Sequence, residues 1–215
     1  MPAVTIRGES RGRFIAFEGG EGSGKSTQAA RLAAALGALI TREPGGTDLG
    51  RHIRELVLGA DLREPVGTRA EALLMAADRA QHVASVVRPA LRAGRDVVTD
   101  RYAGSSLAYQ GYGRGLGIAD VRWLSDWATE GLWPDLVILL DVPPTETQGR
   151  LAASGVGPDR LEAAGDDFHR HVAKGFQILA QETPDTWRVV DGSGSVDEVF
   201  FRVQTTVAEF FALCG

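Results

Sequence analysis

The chain has 215 residues, 44% apolar and 24% charged, the proportions of an ordinary globular protein, at a length that fits one domain better than two. Its single cysteine, Cys214, excludes an internal disulfide framework or a multi-cysteine zinc site. Apolar runs of about five residues fall far short of the roughly 20 a membrane span needs. The net charge of −5 argues against duplex nucleic acid as the main partner, because such proteins carry a basic excess.

Residues 1–12 are polar and charged and are expected to form a disordered tail ahead of a single domain over 13–215. They hold no apolar core of a signal peptide, which points to a cytoplasmic protein. Beyond them, short apolar runs alternate with helical stretches. The runs are Phe14–Phe17, Ala38–Thr41, Asp96–Asp100, Leu136–Asp141 and Trp187–Asp191. Helices are predicted at about 25–36, 48–58, 68–93, 119–130, 144–153, 160–182 and 195–212. Near-continuous apolarity in the strands means burial on both faces, and strand–helix alternation means right-handed crossovers. The expected fold is α/β, a five-stranded parallel sheet with helices on both faces. Three runs end in an acid, Asp100, Asp141 and Asp191, at the strand ends where open α/β sheets bind ligands.

Gly19, Gly20, Glu21, Gly22, Ser23, Gly24, Lys25 and Ser26 match G-x-x-x-x-G-K-[ST], followed by Thr27, between a predicted strand and a predicted helix. Glycines let consecutive N–H groups converge on one point, and the helix N-terminus adds its partial positive charge there. Lys25 places a compact cation on β- and γ-phosphates; it is one of two lysines in a chain with 21 arginines. The Ser26 hydroxyl suits Mg²⁺. The chain therefore reads as a nucleoside triphosphate binder with the P-loop NTPase fold.

There is no asparagine, so the N-K-x-D guanine signature of a GTPase is absent. At this length, phosphoryl transfer to a small acceptor is the economical use of one triphosphate site. Such a kinase needs an arginine-rich acceptor pocket and a mobile cover. Arg54, Arg79 and Arg101 supply candidates for the first. The stretch at about 150–160, with Gly155, Gly157 and Pro158 between Arg150 and Arg160, is the candidate lid. The four histidines form no spaced metal set and read as surface or satisfied residues, and the arginines of the amphipathic helices as solvated faces. A nucleoside kinase, another deoxynucleotide kinase and an ATP-binding module without turnover stay open on these grounds. Two arginines favour an acceptor that already bears a phosphate.

Phe17–Thr27, Thr41–Thr47, Ala76–His82, Asp100–Tyr102, Ser105–Gly111 and Asp159–Glu162 together resemble the bacterial thymidylate kinase family, from about Arg13 to Phe211. The resemblance implies Mg²⁺-dependent transfer of the γ-phosphate of ATP to dTMP, giving dTDP for dTTP synthesis, in a homodimer. It implies roles for single residues. Glu21 would hold the acceptor 3′-hydroxyl. Arg54 and Arg101 would grip its phosphate. Arg79, Ser106 and Gln110 would meet the base, and Tyr109 would pack at the 2′ position of the sugar. Asp100 would orient Mg²⁺ through water, beside Ser26. Arg150 and Arg160 would supply lid charge, in keeping with Gly22 where some eukaryotic members carry an arginine. Met75 stands where the family usually stacks thymine on phenylalanine, and reads either as the base contact or as plain core.

Overall fold

The computed structural model describes residues 11–59, 64–154 and 160–213. Five parallel strands, β1 (Phe14–Glu18), β2 (Leu39–Arg42), β3 (Val97–Asp100), β4 (Leu136–Asp141) and β5 (Trp187–Asp191), form one sheet in the order β2-β3-β1-β4-β5. β1 is the centre. Ile15 is in register with Val98 on one side and with Leu136 on the other. Its side chains alternate between two cores, as a pleated strand requires. Phe14 and Ala16 join Tyr102, Leu107, Phe176 and Leu179, while Ile15 and Phe17 join Leu32, Ile138 and Val203.

The second core is closed by α1 (Lys25–Leu36) and by the C-terminal helix, whose range follows below. The first is closed by α2 (Asp48–Leu58), α3 (Thr68–His82) and the helices after β3. The helix expected over 68–93 is a continuous helical path of three parts. α3 passes through a π-helical stretch, Val83–Val87, into α4 (Arg88–Arg92). After β3 comes a segment that periodicity did not assign: α5 (Ala103–Ser106) running into π-helical Leu107–Gly113. Gly104, Gly111 and Gly113 break the apolar pattern there. Each is packed so closely that a Cβ would meet a neighbouring side chain within 3 Å. π-Helical turns occur preferentially at functional sites.

α6 (Ile118–Thr129), α7 (Pro144–Ser154), α8 (Asp166–Glu182) and α9 (Val196–Leu213) complete the chain. The helix expected over 160–182 is divided, with a short 3₁₀ turn at Glu162–Ala164 ahead of α8. Of the expected tail, residues 1–10 lie outside the described residues. Arg11 and Gly12 are tied to the fold by an Arg11–Asp135 ion pair at 2.5 Å and a bond from Gly12 N to Leu91 O at 2.9 Å. Gly155, Gly157 and Pro158 of the expected lid lie outside the described residues as well. No helix among the described residues is long and apolar enough to cross a membrane.

Candidate active site

The carboxyl end of β1 passes into the glycine loop, where Gly22 and Gly24 take φ of 70° and 88°. Those left-handed angles turn the chain into α1 and are strained for any residue with a Cβ. Lys25 is almost fully buried, with its Nζ folded over its own loop, donating to Gly20 O at 2.6 Å and Ser23 Oγ at 3.2 Å. Burial and the Arg101 charge pull its pKa down to about 8 against the pull of Glu21 and Asp100. Ser26 and Thr27 are exposed at the helix start.

Ser26 Oγ donates to Asp100 Oδ2 at 2.5 Å, while Asp100 Oδ1 is buried with no protein partner. The two residues border a cleft whose other walls are Thr41, Arg42, Gly45 and Gly46. A hydroxyl beside a carboxylate with an unsatisfied oxygen is an oxygen donor set that suits Mg²⁺, which binds through one or two protein oxygens plus phosphates and water. Among the described residues no group of three or more His, Cys, Asp or Glu side chains could hold a metal ion.

Behind the loop lies a second cavity, walled by Arg54, Met75, Arg79, Arg101, Tyr109 and Gln110. The two sites meet at Arg101, whose φ of 70° is rare for a residue with a side chain. Its guanidinium donates to Gly19 O at 3.1 Å, Ser105 Oγ at 3.0 Å, Glu21 Oε1 at 2.5 Å and Tyr109 OH at 3.1 Å. Tyr109 OH in turn donates to Glu21 Oε1 at 2.9 Å. Burial raises the pKa of the Glu21 carboxyl, but Arg101 and Lys25 outweigh it and hold it down at about 2. Glu21 is therefore a fixed acceptor between phosphate loop and cavity.

Arg79 is buried and spends its donors on protein: Nε on Glu43 Oε2 at 2.8 Å, Nη2 on Tyr102 O at 3.2 Å and Ser106 Oγ at 3.0 Å, and Nη1 on Ser125 Oγ at 3.4 Å. Glu43 Oε1 also pairs with His82 Nδ1 at 2.8 Å, and His82 Nε2 with Thr41 Oγ1 at 2.6 Å. His82 is fully buried and satisfied. Sharing one carboxylate with it leaves Arg79 a single orientation at the cavity wall. Asp78, beside Arg79, accepts Gly45 N at 3.0 Å. Burial and the neighbouring Glu43 push its pKa up to about 6.

Met75 is half-buried; it packs on the first core and also lines the cavity. Arg54 Nη1 donates to Pro44 O at 3.1 Å, which brings α2 to the cavity. The two arginines at the ends of the expected lid lie apart. Arg150 contacts the phosphate loop through Ser23 O at 3.4 Å and the β5–α9 turn through Gly192 O at 2.9 Å. Arg160 lies on the other side, donating to Val57 O at 2.7 Å and Glu71 Oε2 at 2.5 Å.

Besides Glu43 and Asp78, two further buried acids were given no role by the sequence. Glu18, the last residue of β1, accepts Tyr102 N at 3.0 Å, Ser105 N at 2.9 Å and Ser105 Oγ at 2.5 Å, and so pins the turn that carries Arg101. Burial pushes its pKa up to about 7 against those bonds and the Arg101 charge. Glu71 is the other. Both signals were present as acids inside apolar stretches, but their partners lie 39–89 residues away along the chain.

Comparison with known proteins bears on the same residues. The family model described as thymidylate kinase matches residues 17–203. Among curated relatives, the thymidylate kinase of Leifsonia xyli subsp. xyli is 54% identical over 198 residues, covering 90% of this chain and 93% of its own. That of Cutibacterium acnes is 50% identical over 91% and 96% of the two chains. That of Bifidobacterium longum strain NCC 2705 is 48% identical over 92% and 98%.

Proposed function

The chain belongs to the thymidylate kinase family, and from that membership we infer how its two joined cavities carry the reaction. The enzyme transfers the γ-phosphate of ATP to dTMP, giving ADP and dTDP. The observation that carries this reading is the junction at Arg101 and Glu21, where a phosphate loop and a base-sized pocket share one wall.

Lys25 releases its contacts with Gly20 O and Ser23 Oγ in favour of the β- and γ-phosphates, and a phosphate returns its pKa toward the ordinary lysine range. Mg²⁺, held by Ser26 and Asp100 with the nucleotide, would neutralise charge on the transferred group. Arg101 and Arg54 hold the acceptor phosphate, and Glu21 receives the sugar 3′-hydroxyl. Arg79, Ser106, Gln110 and Met75 form the base site, and Tyr109 closes the 2′ position against a ribose. Arg150, beside the phosphate loop, and Arg160, on the far side, close the 150–160 lid and exclude water that would otherwise take the phosphate. No covalent intermediate is needed; positioning and charge neutralisation supply the rate.

Residues 13–215 act as one catalytic domain in the cytoplasm, where ATP and dTMP are found. The homodimer is supported by apolar side chains left exposed on packed helices: Leu73 on α3 and the stacked pair Trp123 and Trp127 on α6. ADP release measured with dTMP, dUMP, dCMP and thymidine tests the assignment. Activity should be greatest with dTMP and absent with thymidine; preference for thymidine would make the enzyme a nucleoside kinase.

A further inference from the structure

Glu71, in the first turn of α3, is fully buried. Its Oε1 accepts Gln110 Nε2 at 2.9 Å and Arg114 Nε at 3.3 Å. Its Oε2 accepts Arg114 Nη2 at 3.2 Å and Arg160 Nη2 at 2.5 Å. Burial raises the pKa of this carboxyl, but the bonds from Gln110, Arg160 and Arg114 prevail and the net shift is downward. An ionised carboxylate accepts hydrogen bonds and donates none.

That one-sidedness fixes the amide of Gln110. Turned over, the amide would set its oxygen against a carboxylate oxygen. The orientation that remains spends Nε2 on Glu71 and leaves Oε1, which is buried and has no partner in the protein. Gln110 also lines the acceptor cavity. A buried amide oxygen without a partner is costly until a donor meets it. Pyrimidine rings differ in this respect: thymine and uracil carry an N3–H donor, whereas cytosine carries a bare N3 acceptor.

We propose that Glu71 is a specificity-positioning residue: it commits Gln110 to offering an acceptor oxygen to the N3–H of the acceptor base, and thereby disfavours cytosine. The inference rests on dTMP being the acceptor. Glu71 does not touch the nucleotide; it acts through Gln110. Arg114 and Arg160 balance its charge, so an ionised carboxylate persists in the interior.

The test compares kcat/KM for dTMP, dUMP and dCMP at saturating ATP, with circular dichroism melts on each variant. In Glu71→Gln the partner can donate or accept, so Gln110 is free to turn. The dUMP-over-dCMP ratio should fall roughly tenfold, the weight of one hydrogen bond, with the change mainly in KM for the acceptor. Arg114→Gln removes a different partner of Glu71 and should leave the ratio within about twofold of wild type, which a merely structural role for Glu71 would not foresee. Gln110→Met is near in shape, keeps every charge, and should lower the ratio as much even if Glu71→Gln fails to fold. A ratio that survives Glu71→Gln in a folded protein refutes the positioning role of Glu71, and a ratio that survives Gln110→Met refutes the readout through Gln110 on which that role depends. A wild-type chain that does not phosphorylate dTMP would instead remove the premise, and the two failures are told apart by the wild-type control.

Discussion

Glu18→Gln should change how the stability of this protein depends on pH. The wild-type carboxyl is fully buried beneath the Tyr102–Ser105 turn with a pKa of about 7, against an ordinary value of 4.5. Below the ordinary value both folded and unfolded chains hold the proton, and Glu18 contributes nothing. Between 4.5 and 7 the unfolded chain ionises while the folded one does not, so folding is progressively disfavoured; above 7 the loss is complete and constant. At about 1.4 kcal/mol per unit, the penalty is on the order of 3 kcal/mol. A glutamine resembles the protonated acid. Its oxygen can accept the N–H groups of Tyr102 and Ser105, and its NH₂ can donate to Ser105 Oγ. Urea unfolding of both proteins at pH 4.5, 6, 7 and 8 isolates the term, because other groups cancel in the difference. The variant should gain on wild type by about 3 kcal/mol across that range, most of it between pH 5 and 7. A difference that stays flat with pH would refute the buried, protonated carboxyl.

Further expectations concern catalysis and assembly. Lys25→Met should keep the circular dichroism spectrum of the fold and lower ADP release by at least on the order of 10²–10³-fold, the cost of one transition-state charge contact; a folded variant with near wild-type turnover would contradict the role of the loop. Met75→Phe should leave kcat nearly unchanged and bind dTMP as tightly or a few-fold more tightly, since a ring stacks on a base better than a thioether does. Met75→Ala should weaken dTMP in calorimetric titration and leave ATP alone; destabilisation of about 2–5 kcal/mol with intact dTMP affinity would make Met75 purely core. Trp123→Glu with Trp127→Glu should convert a dimer to a monomer in analytical ultracentrifugation, and a dimer that persists would exclude this face as the contact.

Five strands, their parallel sense and the loop between Glu18 and Lys25 were all legible because each is written in contiguous residues: a β-rich run, its terminal acid, a glycine spacing. That Arg79, Ser106 and Gln110 share one cavity wall was legible only through resemblance, since no spacing in the chain announces it. The segment from Ala103 to Gly113 was missed for a local reason. Its glycines break helical periodicity, yet they are there because Glu18, Ile118 and Phe168 press against the backbone. The Glu43–His82 pair and the Glu71 cluster were invisible for a longer-range reason. Each joins residues 36–89 positions apart in sequence, and a buried acid looks the same in one dimension whether or not a cation will meet it. Arg160, which the sequence groups with Arg150, lies instead against α2 and α3.

The scarcity of lysine gives this protein a reporter of its own occupancy. Lys174 is exposed on α8, whereas Lys25 is buried in the phosphate loop with a pKa near 8. Burial and the Arg101 charge lower the pKa of the Lys25 amine, and a triphosphate bound over the loop would raise it again and cover the amine. Amine-directed labelling followed by peptide mapping would therefore read Lys25 against Lys174 as an internal standard. The yield at Lys25 falls as ATP fills the loop, with no probe engineered into the chain.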